Sequence, residues 1–254
     1  MRSDMKIKKT MLLLLAIILS FSLQSCWSED DVTEEFSYKE TEYFRYYSPF
    51  FYNPYKVFVV GFTDKGKELE EVIIPEDFGS YYVVGLGHSF DSNLFQSEKL
   101  KKIFLPTGIE EFRGNFLKGM NVKVFFRDTN PDFSVWAEKL GTGQVYVPND
   151  YVTVYNHIDL YINSIKHKVK AANITYMYNY RDAPNNGIFF IDNVEKGEKI
   201  KTIPPKPSGP YSFKGWYTEK SYVNEWDFNI DIPFPSEESD EENDNLILYA
   251  RWRY

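Results

Sequence analysis

The chain has 254 residues with 37 acidic against 29 basic side chains, a net charge of −8, and an aromatic content of 18% dominated by Tyr and Phe. An acidic surface repels phosphates and anionic headgroups, which excludes nucleic acid and the bare headgroup layer as partners. With a single cysteine no internal disulfide can form, so the fold must rest on apolar burial.

Residues 1–25 read as a secretory signal: Lys6, Lys8 and Lys9 make a positive start, Met11 to Leu23 an apolar stretch, and Ser25 a small residue before the cut. The apolar stretch falls short of the roughly 20 residues that a helix needs to cross a bilayer. Leu23-Gln24-Ser25-Cys26 resembles a bacterial lipobox, with Gln24 a departure from the usual small residue. The resemblance implies that Cys26 becomes the lipidated first residue, anchoring the chain in the membrane. Cleavage there leaves 229 residues, room for two modest domains, with a net charge of about −11. Residues 26–37 form a tether with five acids in the seven positions from Glu29 to Glu35, which charge repulsion keeps solvated. An acidic cluster behind a lipidated cysteine resembles the export signal of surface lipoproteins in Bacteroidota-like bacteria. It implies an outer-membrane protein facing outward; a plain spacer on the periplasmic side is the alternative.

Residues 38–165 carry an irregular repeat. Val72-Ile73-Ile74-Pro75, Ile103-Phe104-Leu105-Pro106 and Val145-Tyr146-Val147-Pro148 are apolar strands closed by proline, which has no N–H for a ladder. Val122-Lys123-Val124-Phe125 is a fourth without proline. Aligned on Ile74, Leu105, Val124 and Val147, the steps are 31, 19 and 23 residues. Alternation along a strand puts Val72 with Ile74, and Ile103 with Leu105, into one core. The next inward positions are Ile109, Phe112 and Phe116 after Pro106, and Val83 or Val84, Leu86 and Phe90 after Pro75. Gly79, Gly85, Gly87, Gly108 and Gly114 let the coil turn. One coil cannot bury its own edge, so coils must stack. "LKKIFLPTGIEEFRGNFLKG" and "VYVPNDYVTVYNHI" resemble the BspA-like leucine-rich repeat family and its closing unit, over about residues 55–160. Departures are the missing cysteine or asparagine ladder and an apparent insertion at Ser92 to Lys99. The resemblance implies three or four coils forming a small curved sheet, with Tyr38 to Gly61 as an aromatic N-terminal cap.

Residues 166–254 read as a second small domain. His167 to Tyr180 is expected as a strand, Asp182 to Gly187 as a turn and Ile188 to Ile191 as the returning strand; the Pro204-Pro205-Lys206-Pro207 run is stiff and extended. "GEKIKTIPPKP", "FKGWY" and "LYARW", in that order, resemble the internalin B-repeat, or Listeria-Bacteroides repeat, from about Lys168 to the end. This implies a compact β-grasp-like module without enzymatic role. Trp216, Trp226 and Trp252 are the expected core; a carbohydrate platform built from them is the alternative. Pro210 departs from the repeat pattern, and so does the inserted 235–244 loop. Its six acids in the eight positions 237–244 raise a calcium reading, but the loop lacks the glycine and alternating ligands of an EF-hand.

Chemistry is hard to assemble. His88, His157 and His167 have no metal-binding spacing, and Glu70–Glu71 and Glu110–Glu111 are neighbours that strands would turn to opposite faces. No phosphate or dinucleotide loop is present. The sequence therefore predicts a mainly β protein, a short irregular leucine-rich-repeat solenoid followed by a small β-grasp-like domain. It is expected to be a lipid-anchored cell-envelope protein with no enzymatic activity and no cofactor or metal. It would mediate adhesion or protein–protein recognition through the repeat surface, with glycan binding by exposed aromatics as the alternative.

Overall fold

Three β-sheets share one framework between Tyr38 and Tyr254, which form one compact unit. The computed structural model describes residues 38–49, 53–88, 94–114, 116–117, 119–129, 143–159, 169–235 and 244–253. Cys26, the signal segment, the acidic tether, Phe90, His167 and most of the acidic 237–244 loop lie outside the described residues.

The first sheet contains β1 (Lys39–Glu40), β2 (Phe44–Tyr47), β3 (Lys56–Phe62), β5 (Tyr82–Leu86) and β7 (Glu111–Phe112), side by side in that order. β1, β2 and β3 are antiparallel neighbours, and β3, β5 and β7 are parallel. The second sheet is parallel throughout: β4 (Glu71–Ile73), β6 (Lys102–Leu105), β8 (Lys123–Phe126), β9 (Val145–Val147) and β10 (Val169–Ala171). From β3 to β8 the chain alternates between the two sheets, so each circuit lays one strand on each.

Registers revise the repeat spacing. Val72, Ile103, Val124 and Val145 are successive partners across the second sheet, giving steps of 31, 21 and 21 residues. Leu105 therefore stands beside Phe126, not Val124. The expected 19 and 23 came from aligning β8, which has no terminal proline, two residues too early.

The face alternation is as expected. Val72, Ile74, Ile103, Leu105, Val124 and Val147 meet Val57, Val59, Val83 and Leu86 of the first sheet in one core, joined by Ile109, Phe112 and Phe116. Burying each such side chain contributes about 1.5–3 kcal/mol. Val84 lies on the opposite face with Tyr47, Phe58 and Val60. A register shift between Val57 and Phe58 in the β3–β5 pairing accompanies this change of face. The stretch read as an insertion contributes Phe95 to the core, 2% exposed. Gly87 and Gly114, both at positive φ, close the β5 and β7 ends; a Cβ on either would overlap the carbonyl of Arg113 or His88, respectively. Beyond β9 a one-turn 3-10 helix, Asn149–Tyr151, leads into the helix Val152–Asp159. Tyr155 there enters the core while its hydroxyl donates to the Asp128 carbonyl at 2.7 Å.

The third sheet contains β11 (Ile174–Met177), β12 (Ile188–Asp192), β13 (Ser212–Tyr217) and β14 (Leu246–Arg253), ordered β12-β11-β14-β13. Its central pair β11–β14 is parallel and both outer pairs are antiparallel. The strand expected over 167–180 is thus divided: β10 pairs with β9 in the second sheet, and only β11 belongs to the third. Buried Ala172 and the turn at Asn173 separate them, with Asn173 Nδ2 donating to Val194 O at 2.8 Å.

The outward residues of the second sheet decide how the sheets assemble. Phe104, Phe125 and Tyr146 stack in a ladder with centroid spacings of 4.4 and 4.9 Å, and Phe190 of β12 stacks on Phe104 at 4.8 Å. These rings share a buried cluster with Ile174, Tyr176, Ile191, Trp216 and Leu248. The second sheet is therefore apolar on both faces, as parallel sheets usually are. Polar groups fasten the rim of this contact. Lys102 Nζ reaches Asp192 Oδ1 at 3.1 Å and Glu71 Oε1 at 3.5 Å, while the Thr202 hydroxyl donates to Glu71. Arg127, buried, pairs with Glu76 at 2.7 Å and donates to the carbonyls of Leu105 and Phe189 at 3.0 and 2.9 Å.

Candidate functional site

Turns of the third sheet build a groove that crosses the face of its central strands. After β11 the chain runs Tyr178-Asn179-Tyr180-Arg181-Asp182 and returns through the one-turn helix Asn185–Gly187. Asn179, Asp182, Asn185 and Asn186 have φ between 51° and 58°, a left-handed region that short polar side chains tolerate by bonding locally. Asn185 is the anchor of this turn: its Oδ1 accepts from the Thr129 N–H and hydroxyl, both at 2.8 Å, and its Nδ2 donates to the carbonyls of Arg127 and Ile188. The turn is thereby fixed to the end of β8.

Three adjoining compartments form the groove. The largest, about 470 Å³, lies between the 179–183 turn, Asn186, Lys220 and Tyr249. A second, about 280 Å³, shares Asn179, Tyr180 and Arg181 with it and adds Pro210, Tyr211 and Tyr222. The third, about 260 Å³, shares Met177, Asn186, Lys220 and Tyr249 and extends to Asp150, Tyr151 and Ile247.

The aromatic walls are held by their neighbours. Tyr180 sits edge-on to Tyr178 and Trp252 at 5.5 Å each, and Trp252 Nε1 donates to the Tyr178 carbonyl. Asn179 Nδ2 donates to the Tyr222 hydroxyl at 3.1 Å. Arg251 lies over Tyr222 and Tyr217, and Lys220 over Tyr249 at 5.6 Å, contacts worth about 0.5–1 kcal/mol each at exposed sites. Burial pushes the Tyr180 hydroxyl above its usual pKa and that of Tyr178 up to about 12, so both are neutral donors at physiological pH.

Residues 173–251 match the family model of the Listeria-Bacteroides repeat domain. The match begins just before β11 and leaves out β10, whereas the sequence resemblance begins at about Lys168; pairing of β10 with β9 accounts for the difference. The matched region thus spans nearly all of the third sheet and most of the groove, whose third compartment also takes Pro148 to Tyr151 from outside it. No solved structure matches the chain.

The other sequence candidates are dispersed. Glu70 pairs with Lys101 and Glu71 with Lys102, while Glu110 pairs with Lys56 and Glu111 with Arg113, so neither carboxylate pair shares a site. His88 is buried, its ring edge-on to Tyr38 and Tyr47 at 6.0 and 5.2 Å. The side chains of His157 and His167 lie outside the described residues. Among the described residues, no group of three metal-ligating side chains comes together. Trp216 and Trp252 are buried in the repeat domain, and Trp226 is half-buried against the same cluster, so the three do not form an exposed platform. The sequence reading missed Asn179, Arg181, Lys220 and Tyr222. The available signal was the density of Asn and Asp between Asn179 and Asn186, residue types that favour left-handed turns.

Proposed function

We propose that this is a non-enzymatic, lipid-anchored cell-envelope protein that mediates adhesion or recognition, held at the outer membrane and facing outward through Cys26. The observation that carries the reading is the contrast between a covered repeat face and an open groove. Phe104, Phe125 and Tyr146, the rings that the coils turn outward, are buried beneath the repeat domain, while the groove lies on that domain's turns. In this reading the coils are BspA-like leucine-rich repeats, supported by the two 21-residue steps that follow the first step of 31, and serve as a rigid base. A β-grasp-like description of the repeat domain is supported by its parallel central pair. Recognition passes from the repeat surface, where the sequence placed it, to the repeat domain. A non-enzymatic role is supported by the separate cations that engage each neighbouring carboxylate.

Retention of the full chain on envelope preparations and on host-cell surfaces tests this. Tyr211→Ala and Lys220→Ala should each weaken retention, while Tyr82→Ala, at a β5 residue that is 61% exposed, should leave it intact. Loss with Tyr82→Ala and not with the groove variants would return recognition to the coils. Cys26→Ser should release the protein from membranes; a variant that stays bound would overturn the lipid anchor.

A further inference from the structure

We infer that the groove of the repeat domain is a binding site for a linear glycan, with Arg181 and Lys220 placed to meet a carboxylate on it. This rests on the recognition reading above and goes further by naming the site and the ligand class.

Shape comes first. The three compartments adjoin, with shared walls at Tyr180 and Arg181 on one side and at Met177, Lys220 and Tyr249 on the other, a series that suits an extended chain. The largest, at about 470 Å³, falls within the range of small-molecule sites, about 300–1,000 Å³.

The lining selects the chemistry. A pyranose ring has apolar C–H faces and a rim of hydroxyls, so it needs flat apolar surface beside fixed donors and acceptors. Tyr180, Tyr211, Tyr222 and Tyr249 supply rings with polar tips, and Asn179 and Asn186 stand among them with both donor and acceptor functions. An added peptide strand is disfavoured by position. The groove crosses the face of β11 and β14, the two central strands, whose backbone groups already pair on both sides; strand addition needs an open edge. Binding must therefore come from side chains.

Charge refines the class. In a chain of net charge −8, the largest compartment sets Arg181 and Lys220 against Asp182, while the groove's other acid, Asp150, lies in the third compartment. That local excess of positive charge favours a glycan bearing carboxylates over a neutral one.

Preorganisation is the fourth observation. Asn179, Asp182, Asn186 and Tyr222 all adopt positive φ, and all four line the groove. Tyr222, at φ 61°, has no short polar side chain to ease that conformation, which an ordinary L-residue adopts only at a cost. Strain of this kind persists where the surroundings over-determine it, and it clusters at ligand sites. The Asn179–Tyr222 hydrogen bond joins two of these residues across the wall. Pro210, the residue that departs from the repeat pattern, stands in the same wall.

Calorimetric titration of the full chain in detergent micelles tests the inference, with hyaluronan and polygalacturonate hexasaccharides as acidic probes and xylohexaose, cellohexaose and maltohexaose as neutral ones. At least one acidic probe should bind. Tyr211→Ala should weaken it by about tenfold, the scale of one aromatic contact, and Arg181→Ala with Lys220→Ala should abolish the preference for acidic over neutral probes, all without lowering the melting temperature. Absence of heat with all five probes, or binding indifferent to these variants, would overturn the site. Binding of neutral probes alone would overturn the carboxylate assignment. If retention on cells requires Tyr211 but survives periodate oxidation of the cell-surface sugars, the glycan assignment falls while the recognition reading stands.

Discussion

The coils and the repeat domain bend their chains by different means. In the coils the described residues at positive φ are glycines, among them Gly79, Gly87, Gly108 and Gly114, whereas the repeat domain places Asn179, Asp182, Asn185, Asn186 and Tyr222 in the same region. A glycine turn reverses the chain without strain and offers nothing to a partner. A non-glycine residue retained there costs stability and keeps a side chain in place. Asn185 and Asn186 both bond Thr129, fastening the turn beyond β8; Asn179 and Tyr222, bonded to each other, line the groove. The comparison separates a scaffold built for stacking from a module built for contact.

The greatest effect should come from removing one region. A chain ending at residue 168 loses β10 and uncovers Phe104, Phe125 and Tyr146, so circular dichroism should show no cooperative melt. A stable melt near that of the whole chain would mean that the coils need no cover. Next is Phe125→Ala, which removes both stacks of the ring ladder and should cost about 3–5 kcal/mol in urea unfolding, with one transition for both regions. Two separate transitions would show that the regions are independent. Arg127→Ala removes a buried guanidinium that pairs with half-exposed Glu76 and donates to two carbonyls; about 3 kcal/mol is expected from the two lost charge-assisted hydrogen bonds.

A subtler effect concerns pH. Burial raises the Asp192 pKa above 3.8, with Lys102 opposing, and Asp192 Oδ2 makes no hydrogen bond to the described protein. A raised carboxyl pKa means that the folded chain holds its proton more firmly than the unfolded chain. Its contribution is therefore present at low pH and fades as pH rises through the folded-state value. Asp192→Asn should gain stability relative to the unaltered chain between about pH 4 and neutrality, measured by urea unfolding across that range. A relative loss would show that the Lys102 pair dominates. The smallest effect is at Asn185: Ala should be less stable than Gly there by about 1 kcal/mol, the left-handed penalty of a Cβ, though both lose the same hydrogen bonds.

Much of the framework was legible because a period of two leaves little freedom. Val72, Ile74, Ile103 and Leu105 could face only one core, and they do. The step across β8 was misaligned because Phe126 is followed by Arg127 and not by proline, which removed the marker used elsewhere. Burial of the outer faces of Phe104 and Tyr146 was not legible, since an apolar residue between two inward ones reads equally well as exposed or as the contact of another sheet. The groove was the least visible. Its residues come from the 148–151 turn, β11 and the 177–188 turn, the 210–222 segment and β14, and only the β-sheet order brings those segments together. Asn and Asp enrichment marked the turn but not its partners across the groove.

Hydroxyl-radical footprinting of the intact chain, read by mass spectrometry, tests the central claim most directly, because it compares the two aromatic sets without altering either. Tyr211, 39% exposed, should oxidise readily, together with half-buried Tyr222 and Tyr249, while Phe104, Phe125 and Tyr146, at most 5% exposed, should be protected. Ready oxidation of Phe104, Phe125 and Tyr146 under folding conditions would contradict the account, because the outward ring ladder of the coils would then be open.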